Sequence, residues 1–201
     1  MTTGKVAKYQ EELLHLLYQK SFKYNPEPIF TLTSGKKSCY YVDCKKTTLD
    51  PQGAFLIGQV FFNHIKDLPV QGIGGLTLGA DPIAISVALT SAIYNRPIPA
   101  FIIRKEPKKH GTQRWIEGDL PSRGGVVVVD DVVTTGGSTR KAIEALSGEG
   151  YHILSVLALV DREEGGREQI AQSGYELQSL FTLKDFMQLH SENTMPKQNQ
   201  Q

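Results

Sequence analysis

The feature that most constrains this chain is residues 126–139, where four valines precede two acids and a small polar loop. Four consecutive β-branched apolar residues predict a strand that is buried on both faces, as in a parallel sheet. Asp130 and Asp131 stand where such a strand ends, and the loop from Thr134 to Ser138 opens a helix.

This order of residues predicts a ligand site. Open parallel sheets bind ligands beyond the carboxyl ends of their strands, and helix N-termini hold phosphate. The run therefore combines two acids, suited to hydroxyls or a metal-bound ligand, with a phosphate cradle. The alternative is a buried strand followed by a solvated acidic turn, which explains the valines but neither the paired acids nor the Thr/Gly/Ser loop.

The composition is that of one ordinary globular domain. The 201 residues are 40% hydrophobic and 21% charged, with a formal net charge of +1. So small a charge favours neither nucleic acid nor an anionic membrane as a partner. No apolar run approaches the roughly 20 residues of a membrane span, and the first ten residues have no apolar signal core. We therefore expect a cytoplasmic enzyme.

The cysteines and histidines predict no metal or disulfide site. Cys39 and Cys44 match neither a CxxC redox pair nor a zinc half-site, so we expect both to be packing residues. The five histidines form no cluster with ligand spacing.

Helices and strands alternate from residue 50 onward, which predicts βαβ units and a parallel sheet covered on both faces. Asp50-Pro51 and Asp81-Pro82 each place an N-cap before a proline at the first helical position. Before them, residues 29–33 and 38–43 flank a turn and predict a hairpin. The predicted helices are 5–22, 50–65, 81–93, 137–147, a short one that closes at 170–172, and 183–189. The predicted strands are 70–73, 98–103, 126–129, 153–160 and 175–181.

Residues 104–118 form a long basic segment without periodicity. They contain five Lys or Arg and two acids, a balance of +3 with His110 neutral. A solvated surface loop is the ordinary explanation of such a run. However, loops longer than about 12 residues are uncommon in compact domains unless they are functional or disordered. A polyanionic ligand is the function that this charge favours.

Four segments resemble one enzyme family. Val126–Ser138 resembles the motif with which type I phosphoribosyltransferases bind phosphoribosyl pyrophosphate (PRPP), and Arg104–Gly111 resembles the Arg-Lys-x-x-Lys-x-His-Gly loop of orotate phosphoribosyltransferases. Phe30–Asp43 is similar to the N-terminal hairpin of those enzymes, and Asp161–Gly166 is similar to their Asp-Arg segment.

The resemblance implies a type I phosphoribosyltransferase fold, a mostly parallel central sheet flanked by helices with a small N-terminal hood. Residues 1–190 would form the single domain, with the hood at about 1–48, and 191–201 a disordered tail. It implies transfer of ribose 5-phosphate from PRPP to orotate, giving orotidine 5′-monophosphate and pyrophosphate. It also implies a homodimer in which the basic loop reaches the neighbouring active site.

The resemblance also assigns residues. Mg²⁺ would be held mainly by the diphosphate of PRPP, with Asp130 and Asp131 as possible protein ligands. The implied catalytic residues are Lys105, Lys108, His110, Asp130 and Asp131. The implied orotate contacts are Thr134, Arg162 and Tyr41. The implied PRPP contacts are Arg104, Lys105, Lys108, His110, Gly74, Gly75, Asp130, Asp131, Val132, Val133, Thr134, Thr135, Gly136, Gly137 and Ser138.

Two departures and two alternatives accompany this hypothesis. Many family members carry lysines at the position of Thr33 and within the segment aligned with Leu76–Gly79. In this chain, the basic loop and Mg²⁺ would therefore have to neutralise the charge of pyrophosphate. A purine or xanthine phosphoribosyltransferase would share the acidic motif but lack the hairpin and the basic loop. A PRPP-sensing regulator that binds nucleic acid would need a basic recognition face.

Overall fold

The computed structural model describes residues 3–31, 35–106 and 115–194. Its helices are α1 (Thr3–Ser21), α2 (Lys45–Thr48), α3 (Pro51–Ile65), α4 (Ala80–Ile93), α5 (Gly137–Gly148), α6 (Gly166–Ala171) and α7 (Leu183–Thr194). Its strands are β1 (Phe22–Tyr24), β2 (Phe30–Thr31), β3 (Lys37–Ser38), β4 (Tyr40–Val42), β5 (Gly72–Leu76), β6 (Ala100–Ile103), β7 (Ile116–Glu117), β8 (Gly125–Val133), β9 (His152–Asp161) and β10 (Leu177–Thr182).

The main sheet confirms the predicted α/β architecture. Within the described residues its strand order is β10-β9-β8-β5-β6-β7, and every neighbouring pair is parallel except β6 with β7. The chain first builds outward from β5 to β7 and then crosses back to place β8 on the other side of β5. The strand order therefore reverses between β5 and β8, which is where such sheets bind ligands.

The valine run of β8 divides its side chains between two cores. Val127 and Val129 join the core that contains α1, α3 and α4, whereas Val126 and Val128 pack with α5. Successive side chains of a strand point to opposite faces, so four consecutive valines are buried only where both faces are covered. The predicted burial of this strand is confirmed.

The hood pairs its strands differently from the predicted hairpin. β2 and β3 do pair, with Phe30 opposite Ser38, but β4 pairs with β1 instead, with Val42 opposite Phe22. Phe22 and Val42 are both buried, and the Phe22 ring stacks on that of Phe186 at 5.4 Å. Burial of this pair draws β4 to β1 and ends α1 one residue before the predicted Phe22.

The two predicted Asp-Pro caps have different outcomes. Asp50 caps α3 as predicted, and its Oδ1 accepts the N–H groups of Gln52 and Gly53 at 3.0 and 3.1 Å. The cap at Asp81 was wrong, because α4 already begins at Ala80. The Asp81 carboxylate instead accepts the Thr77 hydroxyl at 2.6 Å, which binds it to the preceding loop.

Two further boundaries differ from the predictions. The predicted disordered tail began too early, because α7 continues to Thr194; the remainder of that tail, 195–201, lies outside the described residues. The basic segment 104–118 contains a strand, since Ile116 of β7 pairs with Ile103. None of the helices in the described ranges combines the length and apolar character that crossing a bilayer requires.

Candidate active site

Asp130 and Asp131 lie within β8 rather than after it, because the strand continues to Val133. Both residues are 6% exposed. Asp130 accepts the N–H of Asp131 at 3.0 Å through Oδ1 and the Thr139 hydroxyl at 2.8 Å through Oδ2. Asp131 Oδ1 accepts the N–H of Val132 at 3.0 Å, while its buried Oδ2 has no hydrogen-bond partner among the residues that the structure describes. This last oxygen can accept a donor from a ligand.

Burial disfavours the charged form of both acids. It raises the pKa of Asp130 to about 7, with the neighbouring charge of Asp131 adding to the effect. Burial also raises the pKa of Asp131, although the positive charge of Lys45 opposes the rise. Carboxylates in such surroundings gain from hydroxyl donors or a nearby cation, so the pair fits a polyhydroxylated or metal-bound ligand.

Lys45 was missed by the sequence analysis. It stands at the start of α2 in the hood, and its Nζ lies 2.9 Å from Asp43 Oδ1. Its electrostatic effect on Asp131 connects the hood to the acidic pair. No local motif reveals it, because the proximity arises from long-range packing.

The loop after β8 is the one predicted to hold a phosphate. Gly136 is the N-cap of α5, has φ of 79°, and caps the helix with no side chain, which leaves the first N–H groups of α5 available to an anion. A cavity of about 490 Å³ opens here. Its lining residues are Asp130, Val132, Val133, Thr134, Thr135, Gly136, Gly137, Ser138, Lys141, Arg162 and Glu164.

Lys141 and Glu164 in that lining were also missed. Lys141 stands one helical turn after Ser138. Residues three apart on a helix lie on the same face, so the helical spacing could have revealed it. Glu164 belongs to the Asp161–Gly166 segment, in which the sequence analysis assigns a role to Arg162 alone.

Arg162 is brought to the same cavity from the end of β9. It is 5% exposed, and its backbone N–H donates to the carbonyl of Val133 at 2.9 Å. Its guanidinium carbon lies 5.4 Å from the centroid of the Tyr40 ring. Arg162 Nη2 lies 2.7 Å from Glu164 Oε1, without the angle of a hydrogen bond. Arg162 and Thr134, both assigned to orotate by the resemblance, therefore line one cavity.

Tyr41 is placed differently from its neighbour. Its ring stacks on Phe30, with centroids 6.0 Å apart, and it is absent from the cavity lining, whereas Tyr40 faces Arg162. The orotate contact assigned to Tyr41 stays a prediction. Tyr40, the adjacent aromatic, is the hood residue that the structure brings to this side of the site.

Gly74 and Gly75 lie inside β5, not in a loop after it. A Cβ at Gly74 would lie 2.0 Å from the carbonyl oxygen of Phe101, and one at Gly75 would lie 2.1 Å from that of Val129. Both glycines are therefore required by close strand packing. Their contact with PRPP stays a prediction.

The loop after β5 approaches the acidic pair through another glycine. A Cβ at Gly79 would lie 2.2 Å from Asp131 Oδ1, so this loop packs directly on the acid.

The basic segment leaves and rejoins the sheet at one place. The N–H of Arg104 donates to the carbonyl of Trp115 at 2.9 Å, and its Nη1 lies 3.2 Å from Glu117 Oε1. Arg104 and Lys105 are described, but Lys108 and His110, like Thr33 of the hood, lie outside the described residues. The roles assigned to these residues stay predictions.

The described ranges contain no group of three or more His, Cys, Asp or Glu arranged to hold a metal ion. The unpartnered Oδ2 of Asp131 beside Asp130 is an oxygen donor of the kind that Mg²⁺ prefers. Such a cation would need further oxygens from a ligand, and a diphosphate supplies them.

Comparison with known proteins identifies the family to which the chain is similar. The phosphoribosyl transferase domain model matches residues 75–179. An orotate phosphoribosyltransferase of Aquifex aeolicus (strain VF5) is 48% identical over 178 residues, covering 89% of this chain and 97% of the relative. Its counterpart from Nostoc sp. is 46% identical over 191 residues, covering 94% and 91%.

Solved structures are similar in fold. Orotate phosphoribosyltransferase of Mycobacterium tuberculosis H37Rv, in complex with Fe(III) dicitrate, matches with a TM-score of 0.77 and 37% identity, covering 89% of this chain and 98% of that chain. The same enzyme in complex with PRPP matches with a TM-score of 0.69 and 30% identity, covering 89% and 92%.

Proposed function

The chain belongs to the orotate phosphoribosyltransferases of the phosphoribosyl transferase family, and we propose which of its residues carry out the transfer. The reaction moves the ribose 5-phosphate of PRPP to orotate and releases pyrophosphate. One observation carries the assignment of residues: a single cavity contains both the loop at the N-terminus of α5 and the buried guanidinium of Arg162. The first suits a phosphate and the second a carboxylate, and the two substrates carry these groups.

PRPP binds along the end of β8. The N–H groups and hydroxyls of Thr134–Ser138 hold its 5′-phosphate, and Asp130 and Asp131 accept its ribose hydroxyls. The unpartnered Asp131 Oδ2 supports this role, because a buried carboxylate oxygen needs a donor. As the bond to pyrophosphate breaks, the negative charge of the two acids stabilises the positive charge that develops on the sugar.

Mg²⁺ is the expected cofactor. When bound, it supplies positive charge at the diphosphate, and Asp130 and Asp131 are the residues that fit it. The diphosphate lies toward Gly74, Gly75 and the loop after β5, which packs on Asp131 through Gly79.

The basic segment neutralises the leaving group. Arg104 and Lys105 stand at its base, and Lys108 and His110 follow in its sequence. Pyrophosphate is strongly anionic, so preorganised cations lower the barrier to its departure; removal of one such donor typically costs about 3–4 kcal/mol of transition-state stabilisation. The described ends of the segment are held together at the edge of the sheet by the pairing of Ile103 with Ile116.

Orotate lies between Arg162, Thr134 and the hood. The guanidinium fork of Arg162 matches the orotate carboxylate. Tyr40 faces that guanidinium, and Tyr41 on the same strand is the second hood aromatic that we assign to the base. Because Arg162 is buried, a carboxylate that reaches it is shielded from water, which strengthens their attraction.

A second copy of this chain covers the outer face of α4. Ile85, Leu89 and Ile93 lie four residues apart and are 58%, 65% and 65% exposed. Residues at this spacing share one helix face, and contiguous exposed apolar surface marks interfaces. In the homodimer the basic segment of one subunit serves the site of the other. We also propose a cytoplasmic location, with which the free thiols of Cys39 and Cys44 agree, and no nucleic-acid partner.

The assignment is tested by substrate consumption. With Mg²⁺ and PRPP, the protein should consume orotate, measured as loss of its ultraviolet absorbance, and should leave hypoxanthine and xanthine unchanged. Consumption of a purine without orotate would refute the assignment. Arg162→Ala should raise the KM for orotate and change the KM for PRPP little; equal effects on both would contradict the assigned role of Arg162.

A further inference from the structure

Arg162 already has a carboxylate partner within the chain. Its Nη2 lies 2.7 Å from Glu164 Oε1, and the guanidinium is 5% exposed. The contact is an ion pair rather than a hydrogen bond, since neither Nε nor Nη2 has a hydrogen-bond partner in the described part of the chain. A buried guanidinium without a counter-ion is costly. Glu164 therefore neutralises the charge of Arg162, while Nε and Nη2 remain available to donate hydrogen bonds to a ligand.

The backbone on either side directs Glu164 toward the cavity. Glu163 has φ of 55° and Gly165 has φ of 90°, so the chain turns sharply before and after Glu164. The N–H of Glu163 donates to Asp161 Oδ1 at 2.9 Å, and its carboxylate pairs with Lys184 at 2.6 Å. Two adjacent glutamates thus have separate partners: Glu163 pairs on the surface, whereas Glu164 lines the cavity.

We propose that Glu164 competes with the substrate carboxylate for Arg162 and thereby sets the affinity of the site for orotate. This inference rests on the proposed binding of orotate by Arg162. When orotate binds, its carboxylate replaces that of Glu164 at the guanidinium, so Arg162 keeps a counter-ion before and after binding. A pyrimidine without a carboxylate has nothing to exchange and meets a guanidinium that is already neutralised. Glu164 thereby weakens the binding of pyrimidines that carry a carboxylate more than the binding of those that do not.

The test is Glu164→Gln, with Glu163→Gln as the matched control. Removal of the competing charge should lower the KM for orotate by about fivefold, the range expected for a partly exposed ion pair. The KM for PRPP and kcat should change less than about twofold, and Glu163→Gln should behave as wild type. Inhibition by orotidine 5′-monophosphate, which carries the same carboxylate, should strengthen in Glu164→Gln, while inhibition by uracil should gain less.

An unchanged or raised KM for orotate in Glu164→Gln would overturn the inference and make Glu164 a residue that holds Arg162 in position. Glu164→Ala should change the KM in the same direction, and thermal unfolding of both variants checks that the fold is retained. Arg162→Ala separates the two proposals. If it raises the KM for orotate while Glu164→Gln does not lower it, only the competition is wrong. If Arg162→Ala leaves the KM unchanged, the proposed orotate site itself is wrong.

Discussion

The hydroxyl of Thr139 donates to Oδ2 of Asp130 at 2.8 Å, and both side chains are buried. This contact joins β8 to the first turn of α5, so the first acid and the phosphate loop are held in one arrangement. Its loss would leave a buried carboxylate oxygen without a donor.

Thr139→Val should therefore destabilise the protein and weaken PRPP binding. The unsatisfied acceptor should lower the free energy of unfolding by about 1–3 kcal/mol, measured by urea denaturation. The KM for PRPP should rise, because the acid and the loop are no longer tied together. Thr139→Ser retains the hydroxyl and serves as the control; equal losses in both variants would show that methyl packing, not the hydrogen bond, matters here.

Stability should fall as the pH rises through the range in which Asp130 titrates. The folded protein holds the proton of Asp130 up to about pH 7, whereas the unfolded chain releases it near the ordinary value of 3.8. Below 3.8 both states are protonated, so the decline is confined to the interval between the two values. A difference of about three pKa units between the folded and unfolded states lowers the free energy of unfolding by at most about 4 kcal/mol across this interval.

Asp130→Asn should remove much of this decline, measured as the difference in unfolding free energy between pH 4 and pH 8. Asp131, whose pKa is also raised, accounts for the remainder. A wild-type protein that gains stability between these pH values would contradict the raised pKa of Asp130.

Gly79→Ala should impair catalysis. The added Cβ would lie 2.2 Å from Asp131 Oδ1, so the loop after β5 or the acid must move. A displacement of about 1 Å in an active site can cost roughly a hundredfold in rate, and we expect at least about tenfold in kcat/KM. Gly148→Ala is the control, since a Cβ there meets nothing within 4 Å at the end of α5. Full activity of Gly79→Ala would show that this contact is easily relaxed.

Leu89→Glu should separate the subunits. A charge at the centre of the apolar stripe of α4 would be buried in the homodimer without a partner. Light scattering should report a monomer with a native circular dichroism spectrum, and activity should fall because each site loses the other subunit's basic segment. Ser147→Glu, at an exposed position of α5, should remain dimeric. A dimeric Leu89→Glu would place the interface elsewhere.

Lys108→Ala should lower kcat by more than about tenfold and leave the fold intact. We propose that this lysine neutralises charge on the departing pyrophosphate. This neutralisation matters most in the transition state. Trp115, the sole tryptophan, follows in the same segment and is 40% exposed, so its fluorescence should change when Mg²⁺-PRPP binds. Wild-type turnover, or a signal that stays constant at saturating ligand, would count against the assigned role of the segment.

Sequence patterns predicted the elements well where the determinants were local. The valines of β8 required burial on both faces, and Asp50 Oδ1 accepts the N–H groups of its own helix while its Oδ2 pairs with Lys20. Asp81 carries the same Asp-Pro pattern, but Thr77 engages its carboxylate and the helix starts a residue earlier. Competition from a neighbouring side chain is not visible in a dipeptide.

Residues of the site that come from distant parts of the chain were harder to predict. The acids, the phosphate loop and Arg162 stand at strand ends and could be found by position. Tyr40 and Lys45 reach the site only because β4 pairs with β1 and carries the following segment toward Asp131. That pairing depends on burial of Phe22 with Val42, a contact across the hood that no local pattern encodes.

The central position of β8 has a consequence for the chain during its synthesis. β8 pairs with β5 on one side and with β9 on the other, and β9 is translated after it. Until β9 is added, β8 is an edge strand whose unpaired N–H and C=O groups adjoin four valines, and such edges recruit other chains. The strand that carries the acids of the active site is therefore also the one most exposed to aggregation in a nascent or truncated polypeptide.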